Sequence, residues 1–199
     1  MTAARASRLG AFVAAALSCL VGCGRLSTSP EAASSTSSSP SWLRPSPYPS
    51  STRTGLPAVP PPAPAAVNGA DVDAVALAAV RAVEGSDTAL DADPHDTVLR
   101  ASAWLTPAFA AQVRAYPPTA APGATWNTWA AHRAYLVVST SLGGDEHPAD
   151  SARAAWRQVV AVLHPLGRDG WVGPDQTVVV FVTLAPAAGQ WRLASIQTS

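Results

Sequence analysis

The chain of 199 residues contains no lysine: all thirteen basic residues are arginine, set against thirteen carboxylates. Abundant alanine, proline and valine accompany this, the usage expected of a GC-rich genome, and it speaks of codons rather than of function. With Arg5 and Arg8 set aside as part of a leader, eleven arginines face thirteen acids, a near-neutral balance with a slight acidic excess. That balance excludes the electrostatic footprint of a DNA- or RNA-binding protein. Cysteine is scarce, with Cys19 and Cys23 only. If Cys19 leaves with the leader, no intramolecular disulfide can form. No GxSxG, HExxH, CxxC or phosphate-cradling glycine loop occurs. Nucleophilic, zinc and nucleotide chemistry therefore lack a motif, and no cofactor or metal is expected. The apolar run from Leu9 to Val21 is shorter than the roughly 20 residues that cross a bilayer, and it stops at Gly22-Cys23-Gly24-Arg25.

That run is nonetheless the most informative stretch present. Two arginines, a short apolar core and a small residue before a cut form an export signal. Its ending, Leu20-Val21-Gly22-Cys23, resembles the bacterial lipobox, whose cysteine is diacylated and becomes the first mature residue. The resemblance implies a signal peptide over 1–22, cleavage before Cys23, lipidation of Cys23, and attachment to the outer face of the cell membrane.

A composition break follows. The forty-three residues from Gly24 to Ala66 include eleven serines and ten prolines. Such a segment cannot bury enough apolar surface to offset its ordering entropy, so 23–66 reads as a lipidated cysteine and disordered tether. Fully extended, it reaches on the order of 100 Å. Trp42, Leu43 and Tyr48 are its apolar spots, read as scattered contacts more readily than as a docking motif.

Val67 to Ser199, 133 residues, is a normal length for one domain. Asp71 and Asp73 mark a helix start, and Val72, Val75, Ala79 and Val83 recur at helical spacing as far as Glu84-Gly85. Asp93-Pro94 opens a second helix, with Val98, Ala101, Trp104 and Leu105 as its apolar face, and Thr106-Pro107 opens a third with Phe109 and Val113 inward. The period then changes to two. Strands are expected at Arg133–Leu142, Ala154–Leu163, Gln176–Leu184 and Gln190–Gln197, the last two separated by a turn over 185–189. Short connections imply an antiparallel meander with the helices on one face, an α+β fold.

Helices followed by about four antiparallel strands resemble the cone-shaped nuclear transport factor 2-like fold, in which a curved sheet wraps helices and leaves a cavity. The phrases DPHDTVLRASAWLTPAFAAQVRAY, WNTWAAHRAYL, AWRQVVAVLHPLGRDGWVGP and WRLASIQ also look like small exported actinomycete proteins carried beside conjugation genes. Those are similar to peripheral subunits of conjugation and type IV secretion machines, which act through protein contacts and are usually held by a transmembrane helix rather than a lipid.

Chemical readings of single clusters compete with plainer ones. Asp91, Asp93, His95 and Asp96 invite a hard-metal loop, but an EF-hand counted from Asp91 needs glycine at Asp96 and glutamate at Ser102, so helix capping is favoured. Asp145, Glu146, His147 and Asp150 read as a solvated hairpin tip. His132, with Tyr135, is a candidate to face the cavity as an acid or base. Trp104, Trp156 and Trp191 fall on apolar faces. Trp126, Trp129 and Trp171 lie near strand edges or in the Gly167–Gly173 turn, partly exposed, where they are candidate interface anchors or plugs of a small core. The favoured function is a membrane-anchored, non-catalytic binding or assembly module with a protein partner in the envelope, accessory to conjugation or secretion. The alternative is a cavity-bearing small-ligand carrier, or an isomerase- or hydratase-like enzyme.

Overall fold

In the computed structural model, residues 55–144 and 147–199 are described, and they fall within one unit, Ser46–Ser199. The export signal, Cys23 and the apolar spots Trp42, Leu43 and Tyr48 lie outside the described residues, as do Asp145 and Glu146. The helices α1 (Val72–Glu84), α2 (Pro94–Arg100), α3 (Pro107–Ala115) and α4 (Ala124–Ala131) precede the strands β1 (Tyr135–Leu142), β2 (Ala155–Leu166), β3 (Gln176–Ala187) and β4 (Gln190–Thr198). Among the described residues the strands form one antiparallel sheet in the order β1-β2-β3-β4. The α+β meander is as the sequence implies.

Helix starts follow local chemistry. The Asp71 carboxylate accepts from the backbone N–H groups of Asp73 and Ala74 at 3.0 Å each, and Asp93 from that of Asp96 at 3.1 Å. Thr106 Oγ1 accepts from Phe109 N–H at 3.3 Å. Pro94 and Pro107 occupy first-turn positions, where the missing N–H costs nothing. The apolar pattern after Asp93 does not stay helical. α2 ends at Arg100, a 3₁₀ turn covers Ser102–Trp104, and Leu105 bridges in parallel to Leu193. A fourth helix, α4, stands where the sequence suggested only the approach to β1. Gly123 caps it without a side-chain bond, so it carries no local start signal.

Two strand limits also differ from expectation. β1 starts at Tyr135 because Arg133 adopts a left-handed φ of 48°. β3 and β4 pair right up to Ala187↔Gln190, leaving the two-residue turn Ala188-Gly189 with φ values of 51° and 77°. Positive φ at both positions is the tight-hairpin requirement, which glycine meets without strain.

The core lies between α1 and the sheet. Val75, Val80, Val159, Val180, Leu184 and Leu193 are fully buried there, and Trp104 nearly so. Strand alternation points Val159, Ala161 and Leu163 of β2 and Val180, Val182 and Leu184 of β3 toward this core. The opposite face of the sheet therefore carries Val160 and Val162 of β2 and Val179 and Phe181 of β3.

The folded unit takes in residues that composition assigns to the tether. The Ala58 N–H donates to Asp87 Oδ2 (3.0 Å), and Trp104 Nε1 donates to the Pro62 carbonyl (2.9 Å). The boundary expected at Val67 thus falls inside the domain's own contacts, because prolines lacking an N–H can still lend carbonyls and flank a donor. A chain shortened to Val67 is expected to be less stable than one starting at Gly55 by about 1–3 kcal/mol, since it leaves buried polar groups short of partners. Urea denaturation decides this: coincident midpoints would mean the 58–62 segment contributes nothing.

Candidate functional site

The sequence-derived residues converge at one end of the sheet. His132 is the C-cap of α4, and its Nδ1 lies 2.8 Å from Asp169 Oδ2. Its ring stacks on Trp171 with centroids 4.4 Å apart and planes within 1°. Beside it, Arg168 donates to Asp87 Oδ1 and Oδ2 at 2.8 and 2.7 Å and to the Arg133 carbonyl at 2.7 Å. The same guanidinium sits 5.5 Å from the centre of the Tyr135 ring. His132 and Tyr135 thus brace the β2–β3 loop against α4 and β1 rather than facing an interior cavity. His132 lines a cleft of about 120 Å³ with Ala131, Arg133, Arg168 and Asp169. Small-molecule sites typically enclose about 300 Å³ or more, so this cleft is too small to hold and orient a substrate.

Trp126 and Trp129 are not partly exposed anchors; they take the core-plug role that the sequence also allowed. Both lie on α4, 6% and 8% exposed, with ring centroids 6.2 Å apart. Their spacing of three residues puts them on one helical face, which the core covers. They are core rings and offer no surface to a partner. Trp171, half-buried over His132, keeps some accessible area.

The described members of the carboxylate clusters resolve into ion pairs and caps. Asp91 is 3% exposed and accepts from Arg100 Nε (3.1 Å) and Nη2 (2.6 Å), from Thr97 Oγ1, and from the Asp87 N–H. Asp150 accepts from Arg157 at 2.9 and 2.7 Å. Among the described residues no group of three or more His, Cys, Asp or Glu side chains could hold a metal ion. Burial pushes Glu84, the last residue of α1, up to about 6.

One arrangement was not visible in the sequence. His164 Nδ1 lies 2.8 Å from Asp175 Oδ1, and Nε2 of the same ring lies 3.4 Å from Ser139 Oγ. This is the serine, imidazole, carboxylate order of a hydrolase. Yet 3.4 Å exceeds the reach expected of a working base, Asp175 is 61% exposed, and Ser139 stands mid-strand rather than on a sharp turn. The set ties the loop after β2 to β1.

The remaining feature is the face of the sheet turned from the helices. Along the four strands it carries no carboxylate and no lysine, and Arg192 lies at its corner beyond the bulge at Thr183/Leu184. Val137 and Phe181 are 36% and 38% exposed. At one end, Trp156, Gln158, Phe181, Thr183, Ser195 and Gln197 line a groove of about 210 Å³, closed by His147, Pro148 and Arg157. Sequence alternation indicates which residues of one strand share this face, but not which residues of different strands meet there. No protein-family model, no curated protein and no solved structure matches this chain.

Proposed function

We propose that this protein is a lipid-anchored, extracytoplasmic, non-catalytic binding module of the nuclear transport factor 2-like cone type, docking an envelope protein through the open face of its sheet. The observation that carries this reading is that face without carboxylates, on which Val160, Val162, Val179 and Phe181 are not covered by the helices and the one arginine stands at a corner. Contiguous apolar surface of this kind costs solubility and is kept where a partner covers it. Helices preceding a four-stranded meander support the cone-type fold. The signal ending in Cys23 supports placement at the membrane surface, where an accessory role in conjugative transfer or secretion is the setting its resemblances imply. A catalytic reading has less support: large apolar side chains fill the space between α1 and the sheet, and His132 opens on a cleft of about 120 Å³.

The test is site-specific photocross-linking in intact membranes. A benzoylphenylalanine at Val162 is expected to give a discrete cross-linked product, and one at Arg114 on the exposed side of α3 none. Equal labelling from both positions, or from neither, would remove the open face as the docking surface.

A further inference from the structure

We propose that the groove at the Trp156–Phe181 end of the open face binds a neutral saccharide; this rests on the reading of that face as a binding surface. The strand register builds the site. Gln158 pairs with Phe181, and Phe181 with Gln197, so one aromatic ring lies between two primary amides on the same face. In the adjoining row Trp156 pairs with Thr183, and Thr183 with Ser195. The two rows are about 7 Å apart along the strands, which sets the second aromatic diagonal to the first, with two hydroxyls following it in line across the sheet. A Cβ at Gly143 would collide with the Gln158 amide, so glycine lets that amide lie over the backbone.

This lining selects its ligand. Aromatic faces take apolar C–H surface, while amides and hydroxyls both donate and accept, the mixture that a ring bearing several hydroxyl groups presents. An apolar side chain from a protein would fill the groove but leave those amides and hydroxyls unpaired, at a cost for each. An anion finds no free counter-charge. Arg157, the one arginine lining the groove, donates to Asp73 and Asp150 and to the Trp156 carbonyl. His147 Nδ1 donates to the Pro148 carbonyl at 2.9 Å. The groove's 210 Å³ is short of the roughly 300 Å³ of an enclosed small-molecule site but has room for one sugar ring lying in an open surface groove, with the rest of the saccharide in solvent.

Saturation-transfer NMR on the full chain in detergent provides the test, with triacetylchitotriose and cellotriose as neutral probes and trigalacturonate as the anionic one. Saturable transfer to at least one neutral trisaccharide and none to trigalacturonate is expected. Phe181→Ala should weaken binding about tenfold or more, and Gln197→Ala, at an exposed position that the fold does not need, about threefold or more. Absence of transfer to both neutral probes overturns the proposal, as does unchanged affinity in both variants. If the sugars fail while the Val162 cross-link persists, the saccharide proposal falls and the protein-docking reading stands. If the sugars bind without that cross-link, the groove stands and protein docking falls.

Discussion

Arg168→Ala is expected to destabilise the domain by about 1.5–3 kcal/mol at neutral pH, because it takes the counter-charge from a buried carboxylate while the arginine itself is partly solvated. Asp87 is 1% exposed, and Arg168 supplies two of the bonds that justify a charge there. Burial alone pushes the Asp87 carboxyl up. The Arg168 hydrogen bonds, helped by the N–H groups of Ala58 and Ala89, outweigh this and hold it below the usual carboxylate range. A depressed folded-state pKa means that the stabilisation is complete above the unfolded value of about 4 and is lost as the pH falls through the folded value. In Arg168→Ala the burial remains and the counter-charge is gone, so Asp87 should favour its protonated form. That variant should then gain stability as the pH is lowered from 7 toward 4, a window in which Asp87 leaves the parent unchanged. Glu84 tilts parent and variant alike mildly in the same sense, because its raised value makes stability fall between about pH 4.5 and 6 as the pH rises. Urea midpoints at pH 4, 5.5 and 7 separate these effects. A loss below about 1 kcal/mol at pH 7, with the pH trend unaltered, would show that the pair is energetically idle.

That ion pair marks the limit of what the sequence could disclose. Helix starts at Asp71, Asp93-Pro94 and Thr106-Pro107 were legible because a cap acts over two or three residues. Strand positions were legible from their β-branched runs, but not which face turns inward, because Val159 to Leu163 and Val178 to Val182 are apolar on both sides. Asp87 and Arg168 are 81 positions apart, and nothing local in either announces the other. Asp91 read as one of several capping acids, yet its partner Arg100 lies across α2. The misplacement of Trp126 and Trp129 has a different origin. An eight-residue helix capped by glycine, with threonine and asparagine between its aromatics, has neither a start signal nor a strong apolar stripe, so tertiary packing decides it. The groove was illegible because the β2–β3 connection, Gly167–Asp175, is too long to fix register by turn geometry. A slip of one residue would have turned Phe181 into the core.

Cys23→Ala is expected to abolish lipidation and to shift the protein from cleaved, membrane-held form to an uncleaved or released precursor. The chain has two cysteines, and on the lipobox reading Cys19 leaves with the apolar run, so no second thiol would remain to carry the thioether. Among the described residues no helix is long and apolar enough to cross a membrane, so the folded domain supplies no substitute span. A single acyl chain holds a protein only marginally, each buried methylene contributing about 0.8 kcal/mol, whereas the diacylated cysteine of a lipobox carries two chains and anchors stably. Metabolic labelling with an alkyne fatty acid, followed by fractionation, reads both consequences together. Label in the parent and none in Cys23→Ala, with the variant running larger or appearing outside the membrane fraction, is the expected pair of results. An ordinary secretory signal would instead yield unlabelled, released protein from both chains. Incorporation of label by Cys23→Ala would place the acyl chain elsewhere and end the lipobox reading, while leaving the sheet face and its groove to be judged on their own experiments.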